Sequence, residues 1–205
     1  MANKHGSNRE FFQYIYDNNE KAPWDIGRVQ SALQYYIIFR GPKKGRCLEV
    51  GCGTGDLSIY LAKRSLEVIG IDYIQKPIDV AKAKAIAENI DVKFEVRDAF
   101  GLGYDANMFD YIFDGGFLHN LTDEYIEKFE RIAFKLLKPD GQYIVCGVSH
   151  SQGYPGPREI NDVVLHKYFG NRWIIQEIYE VSFENHLNGP EEVPGVLAVV
   201  QKNGV

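Results

Sequence analysis

At 205 residues the chain is long enough for one domain with a full hydrophobic core. Its 23 Lys and Arg against 28 Asp and Glu give a formal charge of -5. That balance offers no field to draw nucleic acid or an anionic membrane. Three cysteines (Cys47, Cys52, Cys146) form no C-x-x-C pair, so a zinc site or disulfide framework is not expected, and they read as buried, reduced thiols in a cytoplasmic protein. No apolar run reaches the ~18 residues of a membrane span, and the polar start MANKHGSNRE lacks a signal-peptide core.

Residues 1–10 are polar and expected to fray. FFQYIY suggests a short aromatic helix over Glu10 to Tyr16, and DNNEKAPWDIG after it is rich in turn residues, Pro23 included. Val29, Leu33, Tyr36 and Ile37 carry helical spacing over Arg28 to Phe39, stopped by Gly41-Pro42. The pattern then alternates. Strands are predicted at Arg46–Val50, Glu67–Ile71, Val92–Arg97, Phe109–Phe113 and Gln142–Val148. Helices are predicted at Asp56–Arg64, capped by Asp56, at Lys76–Asn89, and at Thr122–Lys138, capped by Thr122 and stopped by LKPDG. The link between the third and fourth strands lacks a full helix. Asn161–Phe169 reads as helix, and Trp173–Phe183 and Val196–Gln201 as strands with no helix between them. Alternating strands and helices imply βαβ units around a mostly parallel sheet covered on both faces, and the last two strands should form an antiparallel hairpin at its edge.

The strongest motif is LEVGCGTGDLSIYLA, residues 48–62, which leaves a strand and enters a helix through Gly51, Gly53 and Gly55. Gly53 lets backbone approach a ligand with no Cβ in the way, and the free amides at the helix start suit an anionic group. The loop therefore reads as a site for a nucleotide-like small molecule. The spacing is G-x-G-x-G with Asp at 56, where the dinucleotide fingerprint needs a sixth-position glycine. An acid there would also repel a pyrophosphate, whereas a sulfonium tolerates it. Asp72 ends the second strand 21 positions after Gly51 and is placed to take ribose hydroxyls.

With these residues in view, the sequence resembles the class I S-adenosylmethionine-dependent methyltransferases over about positions 45–148. The resemblance implies a Rossmann-like three-layer sandwich: a mostly parallel seven-stranded sheet with an antiparallel edge hairpin, one domain over residues 1–205. It implies S-adenosyl-L-methionine as cofactor, held around Glu49, Gly51, Cys52, Gly53 and Gly55, at Asp72 and Tyr73 of GIDY, at Asp98 and Ala99 of VRDAF, and at Asp114 of FDYIFDGGFLHNL. Asp72 matches the acid that binds the ribose, and Asp98 the acid that faces the adenine amino group. Read by itself, Asp98 has a solvated strand-end residue as its plainer alternative. Glu49, inside an apolar strand end, needs partners and is expected to organise the loop amides.

NEKAPWDIGRVQ, residues 19–30, resembles the entry segment of the thiopurine, thiol and halide methyltransferases, where a tryptophan lies against the cofactor's methionine end; Trp24 holds that place here. An aromatic face beside a sulfonium is worth ~1–2 kcal/mol when dry. The plainer alternative is that Trp24 plugs a helix onto the sheet. The segment 1–44, with Phe11, Phe12, Tyr14 and Tyr16, is expected to act as a helical lid, or else as one apolar helix face.

Methyl transfer from a sulfonium is a displacement with an activated leaving group, so positioning and water exclusion matter most. A thiol acceptor sheds its proton readily, whereas a hydroxyl needs a base. His119, after the fourth strand, is the candidate catalytic base, with Trp24 as a wall; the alternative for His119 is a hydrogen-bonded loop histidine. The acceptor pocket is expected beyond the first and fourth strands, among Asp114, Gly115, Gly116, His119, Ser149, His150 and Trp24, walled by Phe117 and Tyr154. Asp114-Gly115-Gly116-Phe117 lacks the paired prolines of base-amino methyltransferases, which favours a small-molecule acceptor over nucleic acid. A binding module without transfer and a macromolecular acceptor stay as alternatives.

Overall fold

The computed structural model describes residues 9–18, 22, 24–149, 158–170, 172–186 and 192–204. Two helices, α1 (Arg9–Asn18) and α2 (Ser31–Phe39), precede β1 (Arg46–Val50), α3 (Asp56–Ala62), β2 (Glu67–Asp72), α4 (Gln75–Ala87), β3 (Lys93–Val96) and β4 (Phe109–Asp114). A single 3₁₀ turn at Leu118–Asn120 leads to α5 (Asp123–Leu136), β5 (Leu137–Val148), α6 (Asp162–Phe169), β6 (Trp173–Glu184) and β7 (Glu192–Lys202). No helix among the described residues is long and apolar enough to cross a membrane.

The strands form one sheet in the order β3-β2-β1-β4-β5-β7-β6. The first five pair in parallel, with β1 between β2 and β4. β7 runs antiparallel to β5 and to β6, the edge hairpin that the missing helix predicts. Side-chain alternation sorts the core into layers. Leu48, Val50, Ile112, Tyr143 and Val145 face the stripe Ile126, Phe129, Ala133 and Leu136 of α5, together with α6. Cys47, Phe113, Ile144 and Cys146 face Leu33 and Ile37 of α2 and Leu57 and Leu61 of α3. A third cluster packs Ile78, Ala81 and Ala85 of α4 on Phe94. All three cysteines are buried and free. The chain passes from β1 to β2 on one side and from β4 to β5 on the other, so the order reverses between β1 and β4, the point at which open α/β sheets form their ligand crevice, beyond the C-terminal strand ends.

Three local expectations are corrected. The cap of α3 is Gly55, in left-handed conformation at φ 82°, and Asp56 lies in the first turn instead. α2 begins at Ser31 rather than Arg28, because residues 28–31 are clamped to the end of β6. Arg28 pairs with Glu184, the Ser31 N–H donates to Glu184 Oε2 at 2.9 Å, and the Gln30 side-chain amide exchanges two hydrogen bonds with the Glu184 backbone. LKPDG is not a connecting stop: α5 passes straight into β5 at Leu137. Pro139 and Gly141 lie where the register jumps from Phe109↔Leu137 to Tyr111↔Gln142, a bulge that spares proline a ladder bond.

Candidate active site

Gly51, Gly53 and Gly55 all hold positive φ, at 64°, 50° and 82°, yet they serve different ends. A Cβ on Gly55 would stand 2.7 Å from Ala81 Cβ and from Phe94 Cζ, so this glycine lets α4 and β3 close onto the loop. A Cβ on Gly53 would meet only the Tyr16 hydroxyl, at 3.2 Å; its open side faces the crevice. The Cys52 N–H donates to Ile71 O at 2.9 Å, and burial pushes its thiol well above the usual range.

Asp72, at the end of β2, is 9% exposed and reaches the same loop. Its Oδ2 accepts the Gly53 N–H at 3.2 Å and its Oδ1 the Ile74 N–H at 2.9 Å. Burial lifts its carboxyl to about 6, against the pull of those amides. The Arg97 N–H donates to Asp72 O at 2.9 Å, which brings the β3 end and Asp98 beside it. Asp98 is exposed and accepts the Phe100 N–H at 2.9 Å, a turn geometry, while the Ala99 side chain is buried in the α5-side core.

Two expected contacts sit beneath the loop rather than on its open side. Glu49 is buried and accepts the Ser58 hydroxyl, so it ties β1 to α3 and does not gather loop amides as anticipated. Burial raises its carboxyl to about 8, against the Ser58 bond. Asp114 is fully enclosed. It accepts the N–H groups of Gly116, Phe117 and Leu118 at 2.9, 2.6 and 2.9 Å and the Tyr143 hydroxyl at 2.5 Å. With four donors on two oxygens, its work is to fold the β4 loop. Asp56 is paired with Lys84, at 2.9 Å, so the repulsion of a pyrophosphate anticipated from it is neutralised; the glycine spacing still stands against a dinucleotide.

The N-terminal segment closes over these groups. Arg9 donates to Tyr73 O at 3.0 Å, and Lys76 donates to the carbonyl of Tyr16. Trp24 Nε1 donates to the Tyr16 hydroxyl at 3.1 Å, and the Trp24 ring meets Phe12 and Tyr16 edge-on at 5.0 and 5.7 Å. Thr54 donates its hydroxyl to Asp25 Oδ2 at 2.8 Å, which fastens the turn after Trp24 to the glycine loop itself. Trp24, Tyr73, Phe12 and Ile15 pack on Tyr16, Ala22 and Ile74, a small cluster separate from the main core. Tyr16 was legible only as one of four aromatics on a helix; its approach to Gly53 depends on how α1 docks.

Residues 47–141, from β1 into β5, match the family described as "Methyltransferase domain". That stretch carries a methyltransferase domain, and the fold around it is that of the class I S-adenosylmethionine-dependent enzymes. A 2-heptyl-1-hydroxyquinolin-4(1H)-one methyltransferase of Mycobacteroides abscessus is 28% identical over 164 residues, covering 77% of this chain and 71% of its own. A demethylmenaquinone methyltransferase of Staphylococcus aureus is 38% identical over 150 residues, covering 68% of this chain and 61% of its own. The chain thus spans less than two thirds of the second relative's length. A solved structure from work on the conversion of a disulfide bond into a thioacetal group during echinomycin biosynthesis matches with a TM-score of 0.85 at 23% identity, over 95% of this chain and 92% of that one, which speaks to the fold. The similarity found is to class I methyltransferases broadly.

On the acceptor side of this methyltransferase, His119 is buried. Its Nδ1 accepts the Val148 N–H at 3.2 Å, and the ring is also hydrogen-bonded to the Gly116 backbone. Burial lowers its pKa to about 4, against the Gly116 bond. A ring with its acceptor nitrogen engaged and its charged form suppressed has no lone pair left for a substrate proton. Gly116 beside it leaves less room than expected. A Cβ on Gly116 would meet His119 Nε2 at 3.2 Å and Phe183 at 3.3 Å, and Phe117 packs edge-on against Phe129 at 5.0 Å in the core. Ser149 donates its N–H to Pro194 O at 2.9 Å; His150 and Tyr154 lie outside the described residues. A shallow cavity of about 680 Å³ lies at the opposite end of the sheet, beside Arg46, Glu67, Asp110 and Lys138, away from the glycine loop.

Proposed function

We propose that this methyltransferase transfers the methyl group of S-adenosylmethionine to a small-molecule acceptor that loses its proton without a protein base, a thiol being the simplest class. The observation that carries the acceptor reading is His119: it is the best candidate for a base that the sequence offers, and its Nδ1 is spent on the Val148 amide. A thiol, with a pKa near ~8.5, supplies its own thiolate at mildly alkaline pH. The names of the two relatives, a hydroxyquinolinone and a demethylmenaquinone enzyme, support an acceptor of small-molecule size.

The residues present fit the cofactor: a loop face without Cβ at Gly53, a buried carboxylate at Asp72, and aromatic cover from α1. In this reading Asp72 accepts the sugar hydroxyls and Asp98 the adenine amino group, while Cys52 and Tyr73 border them. Trp24 covers the methionine end and excludes water, and the segment 1–44 acts as the lid. Glu49, Ala99 and Asp114 work through the backbone that they hold. The cofactor supplies a sulfonium-bound methyl group, whose transfer leaves a neutral thioether.

A pH–rate series with several thiols of different pKa, read by S-adenosylhomocysteine release, tests this. The inflection should move with the acceptor's own pKa. An inflection that stays put across acceptors would reveal a protein base, and turnover of hydroxyl compounds alone would exclude the thiol reading.

A further inference from the structure

Tyr16 is a buried polar group with half of its hydrogen bonding unused. Its side chain is 8% exposed, and its oxygen accepts the Trp24 N–H at 3.1 Å. No acceptor for its own proton exists among the described residues. A buried hydroxyl left without an acceptor costs about 1–3 kcal/mol, so such donors mark the place of a missing partner. The direction is set by its surroundings. The oxygen stands 3.2 Å from where a Cβ on Gly53 would be, over the open side of the loop. Asp72 is the charge that bears most on the phenol, and burial together with that charge keeps it protonated, hence a donor, at any physiological pH. Trp24 and the Lys76 contact to the Tyr16 carbonyl hold the ring from swinging away.

We propose that Tyr16 is a further cofactor-binding residue, donating its phenolic O–H to a sugar oxygen of the nucleoside held at Asp72. The pairing is complementary: a sugar hydroxyl that donates to the Asp72 carboxylate keeps lone pairs for a second donor, and Tyr16 is the donor on the other side of the crevice. This rests on the site being the S-adenosylmethionine site.

The test is calorimetric titration of S-adenosylhomocysteine and of 5′-methylthioadenosine, which keeps the sugar and lacks the amino-acid end, into wild type, Tyr16→Phe and Trp24→Phe. Tyr16→Phe should weaken both ligands about five- to tenfold, the range of one neutral hydrogen bond. Trp24→Phe, which leaves the phenol in place, should weaken 5′-methylthioadenosine no more than about threefold. Unligated unfolding midpoints close to wild type verify that both variants fold. The proposal is overturned if Tyr16→Phe binds both ligands as wild type does. It is equally overturned if only S-adenosylhomocysteine suffers, which puts the acceptor on the amino-acid end, or if Trp24→Phe loses as much as Tyr16→Phe, which reduces the phenol to a prop for Trp24. Wild type binding neither ligand would instead overturn the reading of the site, and this proposal with it.

Discussion

Gly53 and Gly55, two positions apart in sequence, separate binding from folding. Gly55→Ala forces a Cβ to within 2.7 Å of Ala81 and Phe94 at a left-handed φ of 82°. Overpacking and backbone strain together predict a loss of about 2–4 kcal/mol of stability in a urea titration. Gly53→Ala meets only the Tyr16 hydroxyl, at 3.2 Å, so its stability loss should stay near ~1 kcal/mol, the strain of the left-handed backbone, while affinity for S-adenosylhomocysteine falls at least about tenfold. Equal stability losses in the two variants would contradict this division. For Asp72 the prediction is a pH dependence. Its carboxyl sits at about 6, and a protonated acid cannot accept two sugar hydroxyls, so affinity should fall as pH drops through 6. Asp72→Asn should flatten that dependence and cost about 2–3 kcal/mol at pH 8. Calorimetry at pH 5, 6, 7 and 8 decides it. These residues were legible because their signals are local: a glycine spacing, and an acid at a strand end. The Tyr16 donor was not, since it exists only once α1 lies against a loop that follows it by more than thirty positions in sequence.

Among the elements, the loop after β4 is held from a single side chain. Three amides and a phenol converge on Asp114, so Asp114→Ala leaves four donors without that acceptor, those of Leu118 and Tyr143 fully buried. A loss of about 3 kcal/mol or more in thermal or urea unfolding is expected, with cofactor affinity falling only as the loop loosens. A variant as stable as wild type would show that water takes over the donors. Strands and long helices were legible in the sequence because apolar runs and the 3.6-residue stripe of α5 need no distant partner. The start of α2 and the LKPDG junction were not. The first is set by Glu184, 156 residues from Arg28, and the second by a register jump between β4 and β5. The choice between the two readings of His119 was closed to the sequence for the same kind of reason: the Val148 amide that favours a hydrogen-bonded loop histidine over a base lies 29 residues away.

For the molecule as a whole, buried ionisable groups set how stability follows pH. Glu49 titrates at about 8 in the fold, far above its ordinary 4.5. The folded state therefore binds the proton more tightly, and stability falls as pH rises from 4.5 through 8. Asp72, at about 6, acts in the same direction but is spent above that pH. His119, lowered to about 4, acts oppositely, with stability lost as pH falls from 6.5 toward 4. Above pH 6.5 only Glu49 of these three still titrates. Urea midpoints at pH 6.5, 7.5 and 8.5 should decline in wild type and stay level in Glu49→Gln; parallel declines would place the ionisation elsewhere.

If a methyl group passes to a small molecule from a cofactor seated on the glycine loop, both products must appear together. The most direct measurement incubates the protein with S-adenosylmethionine and a panel of thiols, phenols, carboxylates and halides, and quantifies S-adenosylhomocysteine together with methylated product by mass spectrometry. Equal amounts of both are expected with at least one thiol, and neither in a Gly53→Val control that remains folded. Cofactor that binds and stays intact across the whole panel, or transfer undiminished in Gly53→Val, would contradict it.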